Sequence, residues 1–201
     1  MNVTLIDYGA GNVTSVERAL QRLGAASQRS TSPECIAKAE ALLLPGVGHY
    51  AALIHALDER ALRAPLLAAI QRGVPFLGVC LGLQALYETS EEAPELAGLK
   101  LFSGSVRSLP ATVKLPHMGW NQLRPTRPSR LLEGISADAY FYFAHSYAAT
   151  GANGESAALC KHGTDFTAVV EKQNIFAVQF HPEKSADAGA QLLRNFLRIA
   201  A

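Results

Sequence analysis

The segment Gly78-Val79-Cys80-Leu81-Gly82 constrains this chain more than any other. It grows out of a short apolar run that starts Pro75-Phe76-Leu77 and opens onto Leu83-Gln84-Ala85-Leu86. A buried strand that ends in a glycine-framed nucleophile and turns into a helix is the layout of a nucleophile elbow. The glycines answer to sterics. So sharp a turn crowds the backbone, and a missing Cβ leaves neighbouring elements room to approach. The cysteine at the apex would stand at a helix N-terminus, where backbone N–H groups favour the thiolate. Alone, such a residue reads more readily as a buried structural cysteine, so the case for chemistry depends on the rest of the chain.

The first half alternates strand and helix. Asn2 to Asp7 is a short apolar-rich strand that stops at Tyr8-Gly9-Ala10-Gly11-Asn12. Val13, Val16, Leu20 and Leu23 then recur at helical spacing, with Asn12 placed to cap and Gly24 to terminate. Ala41-Leu42-Leu43-Leu44 is a second buried strand, closed by Pro45-Gly46-Val47-Gly48. Helical patterns follow from about Tyr50 to Leu57 and from about Ala61 to Arg72, with Pro65 bending or dividing the second. Next come the Phe76 strand, the elbow and its helix. This alternation predicts an α/β fold, a central mostly parallel sheet with helices on both faces. Its ligand site belongs at the carboxyl ends of the strands.

The second half reads as strands near Gly104 to Leu109, Trp120 to Leu123, Ala139 to Tyr147, Ala157 to Lys161, Phe166 to Glu171 and Ile175 to Phe180, joined by short turns. These are expected as antiparallel extensions of the sheet. A last helix, roughly Ser185 to Ile199, would bury Leu192, Leu193, Phe196 and Leu197. With no repeat, linker or low-complexity tract, residues 1–201 are expected to form one domain.

Composition excludes several classes of function. A net charge of +1 without long runs of either sign gives no support for nucleic-acid or anionic-membrane binding. No apolar stretch reaches bilayer length, and the start Met1-Asn2-Val3-Thr4-Leu5-Ile6-Asp7 runs into a folded pattern rather than a signal peptide. Cys35, Cys80 and Cys160 form neither a disulfide framework nor a Cys-x-x-Cys site, which points to a reducing cytoplasm and to no metal. No cofactor is expected.

A partner for the cysteine appears about a hundred residues on. His181-Pro182-Glu183 follows the strand Phe176 to Phe180. Side chains two apart on an extended chain share a face, and Pro182 favours that extended form in the residue before it. Glu183 would then hold one imidazole nitrogen of His181 while the other faces Cys80, giving a nucleophile, a base and an orienting carboxylate. The loop Pro45 to Gly48 ends a parallel strand on the same edge. A backbone N–H from Val47 or Gly48, with that of Leu81 directly after the nucleophile, would form an oxyanion hole.

These residues carry a resemblance. Leu77 to Gln84, followed by His181-Pro182-Glu183, resembles the class I (triad) glutamine amidotransferases. Five segments together are similar to the glutaminase subunits of imidazole glycerol phosphate synthase: Asp7 to Asn12, Pro45 to Gly48, Pro116-His117-Met118-Gly119-Trp120-Asn121, Tyr142-Phe143-Ala144-His145-Ser146-Tyr147 and Gln179 to Ser185. The likeness runs in order through essentially the whole chain, with small departures such as Ala10 and Ala144. It implies that Gly48, Gln84, His145, Ser146 and Tyr147 contact glutamine. Gln84 also lies one helical turn past the nucleophile, on its side of the helix.

The resemblance further implies hydrolysis of glutamine to glutamate and ammonia, with the ammonia handed to a cyclase subunit that forms imidazole glycerol phosphate and an aminoimidazole carboxamide ribotide. The chain itself shows neither the eight strand–helix repeats of a barrel nor a phosphate-binding glycine-rich loop, so the acceptor would be a separate subunit. Asn12, Trp120, Asn121 and Lys184 would lie near that interface. Rotation of the Gly46-Val47-Gly48 backbone would switch the site when the partner is loaded. Three alternatives stay open: a glutaminase subunit of another synthase (pyridoxal phosphate or anthranilate), a stand-alone γ-glutamyl cysteine hydrolase, and a non-catalytic binding module.

Overall fold

The computed structural model describes residues 2–9, 12–150 and 154–201. Ala10 and Gly11 of the Asp7 to Asn12 motif lie outside the described residues. The first half contains β1 (Asn2–Ile6), α1 (Val13–Arg22), β2 (Ala26–Ser30), α2 (Pro33–Ala37), β3 (Ala41–Leu44), α3 (Tyr50–Glu59), α4 (Arg63–Gln71), β4 (Phe76–Val79) and the single turn α5 (Leu81–Gln84). The second half contains β5 (Thr89–Ser90), β6 (Ser105–Ser108), β7 (His117–Gln122), β8 (Arg124–Pro125), β9 (Tyr140–His145), β10 (Tyr147–Ala149), β11 (Ser156–His162), β12 (Thr164–Lys172) and β13 (Ile175–Val178). A 3₁₀ turn at Pro182–Lys184 leads into α6 (Ala186–Ala200).

The main sheet has the order β2-β1-β3-β4-β13-β12-β11-β8. Strands β2 to β13 in that order run parallel, and from β13 outward each neighbour is antiparallel to the last. The inner strands are apolar on both faces, as burial under helices on each side requires. Side-chain alternation divides them. Leu43, Val79 and Val178 pack with α1 and α6 on one face. Leu42, Leu44, Phe76 and Ala177 pack with α2, α3 and α4 on the other. Among the described residues no helix is long and apolar enough to cross a membrane.

Several expectations are corrected. The strand β13 does not lie in an antiparallel extension: it runs parallel to β4 inside the sheet, pairing Val178 with Val79. Two small sheets stand apart from the main one, β10-β6-β5 and β7-β9. The Ala139 to Tyr147 run is two strands, broken at Ser146. Pro65 neither bends nor divides α4, because it falls in the first turn where no backbone donor is needed. Asn12 occupies the N-cap position of α1 but makes no side-chain cap. Neither β2 nor α2 is foreseen from the sequence pattern. The first is an edge strand of mostly exposed polar residues, and the second is short, with Ser32 accepting from the Cys35 N–H and Pro33 in the first turn.

Candidate active site

Cys80 sits where β4 stops, at φ 54° and ψ −104°, a backbone conformation that costs energy for any residue with a Cβ. The elbow is held from both sides. Cys80 N–H donates to Val178 O at 2.7 Å, and a Cβ on Gly82 would lie 2.1 Å from Leu44 O. Glycine at 82 therefore lets α5 press against the end of β3. That helix is one turn long, shorter than expected, so its own dipole is small.

Parallel pairing of β13 with β4 brings the residues just past Val178 beside Cys80. Among them is His181, with its side chain 3% exposed. His181 Nδ1 meets Glu183 Oε1 at 3.0 Å. The chain does not stay extended to achieve this. Pro182–Lys184 form a 3₁₀ turn that folds Glu183 back, and its side chain is 1% exposed. Burial alone would lower the His181 value, yet hydrogen bonds to Cys80 and Glu183, reinforced by their charges, push it up to about 10. The imidazole therefore holds its proton between two acceptors.

In the loop that follows β3, Gly48 has φ 100°. The Val47 N–H donates to Tyr8 Oη at 3.3 Å, while the Tyr8 hydroxyl lies 3.5 Å from Val47 O. That N–H is spent, so the oxyanion expectation narrows to Gly48 and Leu81. Cys80, His181, Val47, Gly48 and Leu81 border one cavity of about 340 Å³, together with Gln84, His145, Ser146, Tyr147, Asn12 and Lys184. Trp120 and Asn121 do not border it. Trp120 is half exposed on β7, edge-on to Tyr142. Asn121 faces the other way, donating to Lys161 O at 3.1 Å and lying 3.3 Å from His117 Nε2.

The expected glutamine contacts have inner partners as well. Gln84 Nε2 donates to Tyr147 O at 2.7 Å and to Gln179 Oε1 at 3.2 Å, which leaves its oxygen for the cavity. His145 places Nδ1 2.9 Å from Tyr147 O and Nε2 3.1 Å from His117 Nδ1, so neither ring nitrogen is free. Burial pushes His145 down to about 3. The Tyr147 carbonyl opposes that shift, and the rings of His117, His162 and His181 add to it. Burial, then the ring of His162, pushes His117 down to about 4. Two further residues belong to the site without having stood out in the sequence. Glu92 lines the cavity and accepts from the Tyr50 N–H at 2.8 Å. Gln179, fully buried, has Nε2 3.5 Å from Cys80 Sγ.

Fold and site together define an α/β protein with a cysteine elbow, a hydrogen-bonded histidine and carboxylate, and an adjoining small-molecule cavity. Residues 4–200 match the family model of class-I glutamine amidotransferases. The imidazole glycerol phosphate synthase subunit HisH of Methanothermobacter thermautotrophicus is 46% identical over 98% of each chain. The subunit of the same name from Moorella thermoacetica is 45% identical, covering 96% of this chain and 93% of that one. A crystal structure of a glutamine amidotransferase superposes with a TM-score of 0.78 at 20% identity, covering 98% of both chains. The chain belongs to the class-I glutamine amidotransferase family and, within it, to the family of HisH subunits.

Proposed function

We propose that residues 1–201 act as one glutaminase domain in the cytoplasm, hydrolysing glutamine and passing the ammonia to a cyclase subunit. The observation that carries this is Cys80, strained at the end of β4 and hydrogen-bonded to a His181 that Glu183 holds. The Cys80 sulfur attacks the side-chain amide carbon, forming an S–C bond and an oxyanion facing the N–H groups of Gly48 and Leu81. The proton on His181 goes to the amide nitrogen, the C–N bond breaks and ammonia leaves. Water, deprotonated by His181, then cleaves the thioester to glutamate. Among the residues lining the cavity, the Glu92 carboxylate suits an α-ammonium group.

The acceptor side rests on the small β7–β9 sheet. Its outer face carries Met118, Trp120 and Tyr140, each more than half exposed. Trp120 pairs with Tyr142 across the strands, and Lys184 lies 5.5 Å from the Tyr142 ring centroid. Large apolar groups left in solvent beside a cavity mark a docking face. Here it would seat the cyclase, with Asn12 and Lys184 at the mouth. Relatives named as subunits of imidazole glycerol phosphate synthase point to that partner. Ammonia in water is largely protonated and no longer nucleophilic, so direct transfer suits such a pairing.

The test is reconstitution with a candidate cyclase. Glutamate release should rise when the cyclase nucleotide is added. Cys80→Ala should abolish glutamine-dependent turnover and leave ammonia-dependent turnover intact. Glutamine-dependent turnover by Cys80→Ala would refute the assignment. A parent chain equally active without a partner would favour a stand-alone hydrolase.

A further inference from the structure

We infer that Gln179 is a catalytic residue whose side-chain amide donates a hydrogen bond to the Cys80 sulfur, with Gln84 as the positioning residue that keeps the amide facing that way. The inference rests on the proposed role of Cys80 as nucleophile.

The sheet itself places the two residues together. Val178 pairs with Val79, and Cys80 N–H is bonded to Val178 O, so the next residue along β13 falls beside the next residue along β4. Gln179 and His181, two apart, both turn toward the sulfur. His181 bonds Cys80 from one direction, and Gln179 Nε2 lies 3.5 Å from Sγ.

The amide's orientation follows from chemistry. The Tyr147 carbonyl can only accept, and it is 2.7 Å from Gln84. Gln84 must therefore present its NH₂ group there. The same NH₂ lies 3.2 Å from Gln179, so the Gln179 atom facing it must be the oxygen. Reversing Gln179 would set two NH₂ groups against each other at a fully buried side chain. Only the NH₂ of Gln179 is then left to face the sulfur. A neutral donor at that position favours the thiolate over the thiol without adding charge. The arrangement also gives Gln84 a double role, since one end of its amide meets the cavity while the other sets the donor behind the nucleophile.

The experiment follows alkylation of Cys80 by iodoacetamide against pH, in the isolated chain, with peptide-resolved mass spectrometry. Resolution by peptide is needed because Cys35 is exposed. Burial pushes the Cys160 thiol up to about 12, which keeps it unreactive. Gln179→Met removes the donor, and Gln179→Glu sets a carboxylate against the sulfur. The alkylation midpoint should rise by about one pH unit in Gln179→Met, a tenfold loss of thiolate at low pH, and further in Gln179→Glu. The high-pH plateau should rise no more than about threefold, as a more basic sulfur becomes more nucleophilic. In the reconstituted enzyme kcat at neutral pH should fall and KM for glutamine should hold.

A midpoint within about 0.3 unit of the parent in both variants overturns the inference, as does an equal shift in both. If neither variant folds, judged by thermal unfolding, Gln84→Met decides. It should raise the midpoint by a smaller amount, and a superimposable profile overturns the inference. If the parent shows the expected profile but releases no glutamate with any cyclase, the proposed function fails while the role of Gln179 stands.

Discussion

Lowering the pH from 7 to 5 should destabilise the folded chain by roughly 3 kcal/mol net, a loss through two histidines that stay neutral when folded, partly offset by a third that is held protonated. His117 and His145 are 5% and 6% exposed, and burial is the first cause of the low values of both. A group whose folded value lies below its unfolded value of 6.5 resists protonation only in the folded state. As the pH falls through 6.5 the unfolded chain gains protons that the folded chain refuses, and stability drops. With folded values of about 4 and about 3, the loss between pH 7 and pH 5 is about 2 kcal/mol for each ring. His181 has the opposite sign. Raised to about 10, it contributes fully below 6.5 and loses its contribution as the pH rises through 10, so over this interval it returns about 1 kcal/mol. Carboxylates enter later. Burial would raise Glu171, but hydrogen bonds from Arg130 and Ser129 outweigh that and hold it below 4.5, so its contribution persists to lower pH. The assay is urea unfolding at pH 7 and pH 5, with imidazole C–H shifts followed by NMR. Unchanged stability, or either ring titrating near 6.5 in the folded chain, refutes the reasoning.

Replacing Gly82 by Ala forces a Cβ to 2.1 Å from Leu44 O, a backbone atom that cannot swing away. A cost of about 3 kcal/mol should lower the melting temperature by about 6–12 °C. Gly24→Ala meets nothing within 4 Å and has only its φ of 74° to strain, so scanning calorimetry should show it losing much less. Glu183→Gln keeps an oxygen near His181 Nδ1 but removes the negative charge that now lies 3.0 Å from it. The His181 NMR midpoint should fall by at least about one unit and glutamine turnover by at least about tenfold; an unmoved midpoint would deny Glu183 its orienting role. Trp120→Ala should weaken cyclase binding in titration calorimetry by about tenfold or more without changing the melting temperature. Unaltered affinity would move the docking face elsewhere.

What can be read from the sequence is what buries itself completely. Ala41 to Leu44 and Phe76 to Val79 are apolar at every position because helices cover both faces of the strands, and their ends locate the site. Partial burial leaves weaker traces. β2 shows Ala26-Ser27-Gln28-Arg29-Ser30, where an exposed edge removes the pressure for apolar residues. The place of β13 cannot be read from its composition. Ile175 to Val178 looks like any apolar strand, and it pairs with β4, about a hundred residues earlier, only after the chain has laid β8, β11 and β12 on the outer side of the same sheet.

The site divides the same way. Cys80, His181 and Glu183 stand out through residue types that carry chemistry and through glycine and proline at their flanks. Gln179 lies within the Gln179 to Ser185 motif yet suggests no role in the sequence, because an amide next to a strand end reads as an ordinary polar residue. The physical signal is present in the spacing. If His181 faces the cysteine from a strand end, the residue two before it faces the same way, and a polar side chain buried there must have a partner. Asn121 shows the converse. Adjacent to Trp120 in sequence, it is expected beside it at the partner surface. Alternation along β7 sends neighbours to opposite faces, so Met118 and Trp120 reach solvent together while His117 and Asn121 turn toward His145 and Lys161. At the end of β13 and along β7 alike, then, strand parity decides which polar residues turn inward to hydrogen-bonded partners and which side chains are left to solvent.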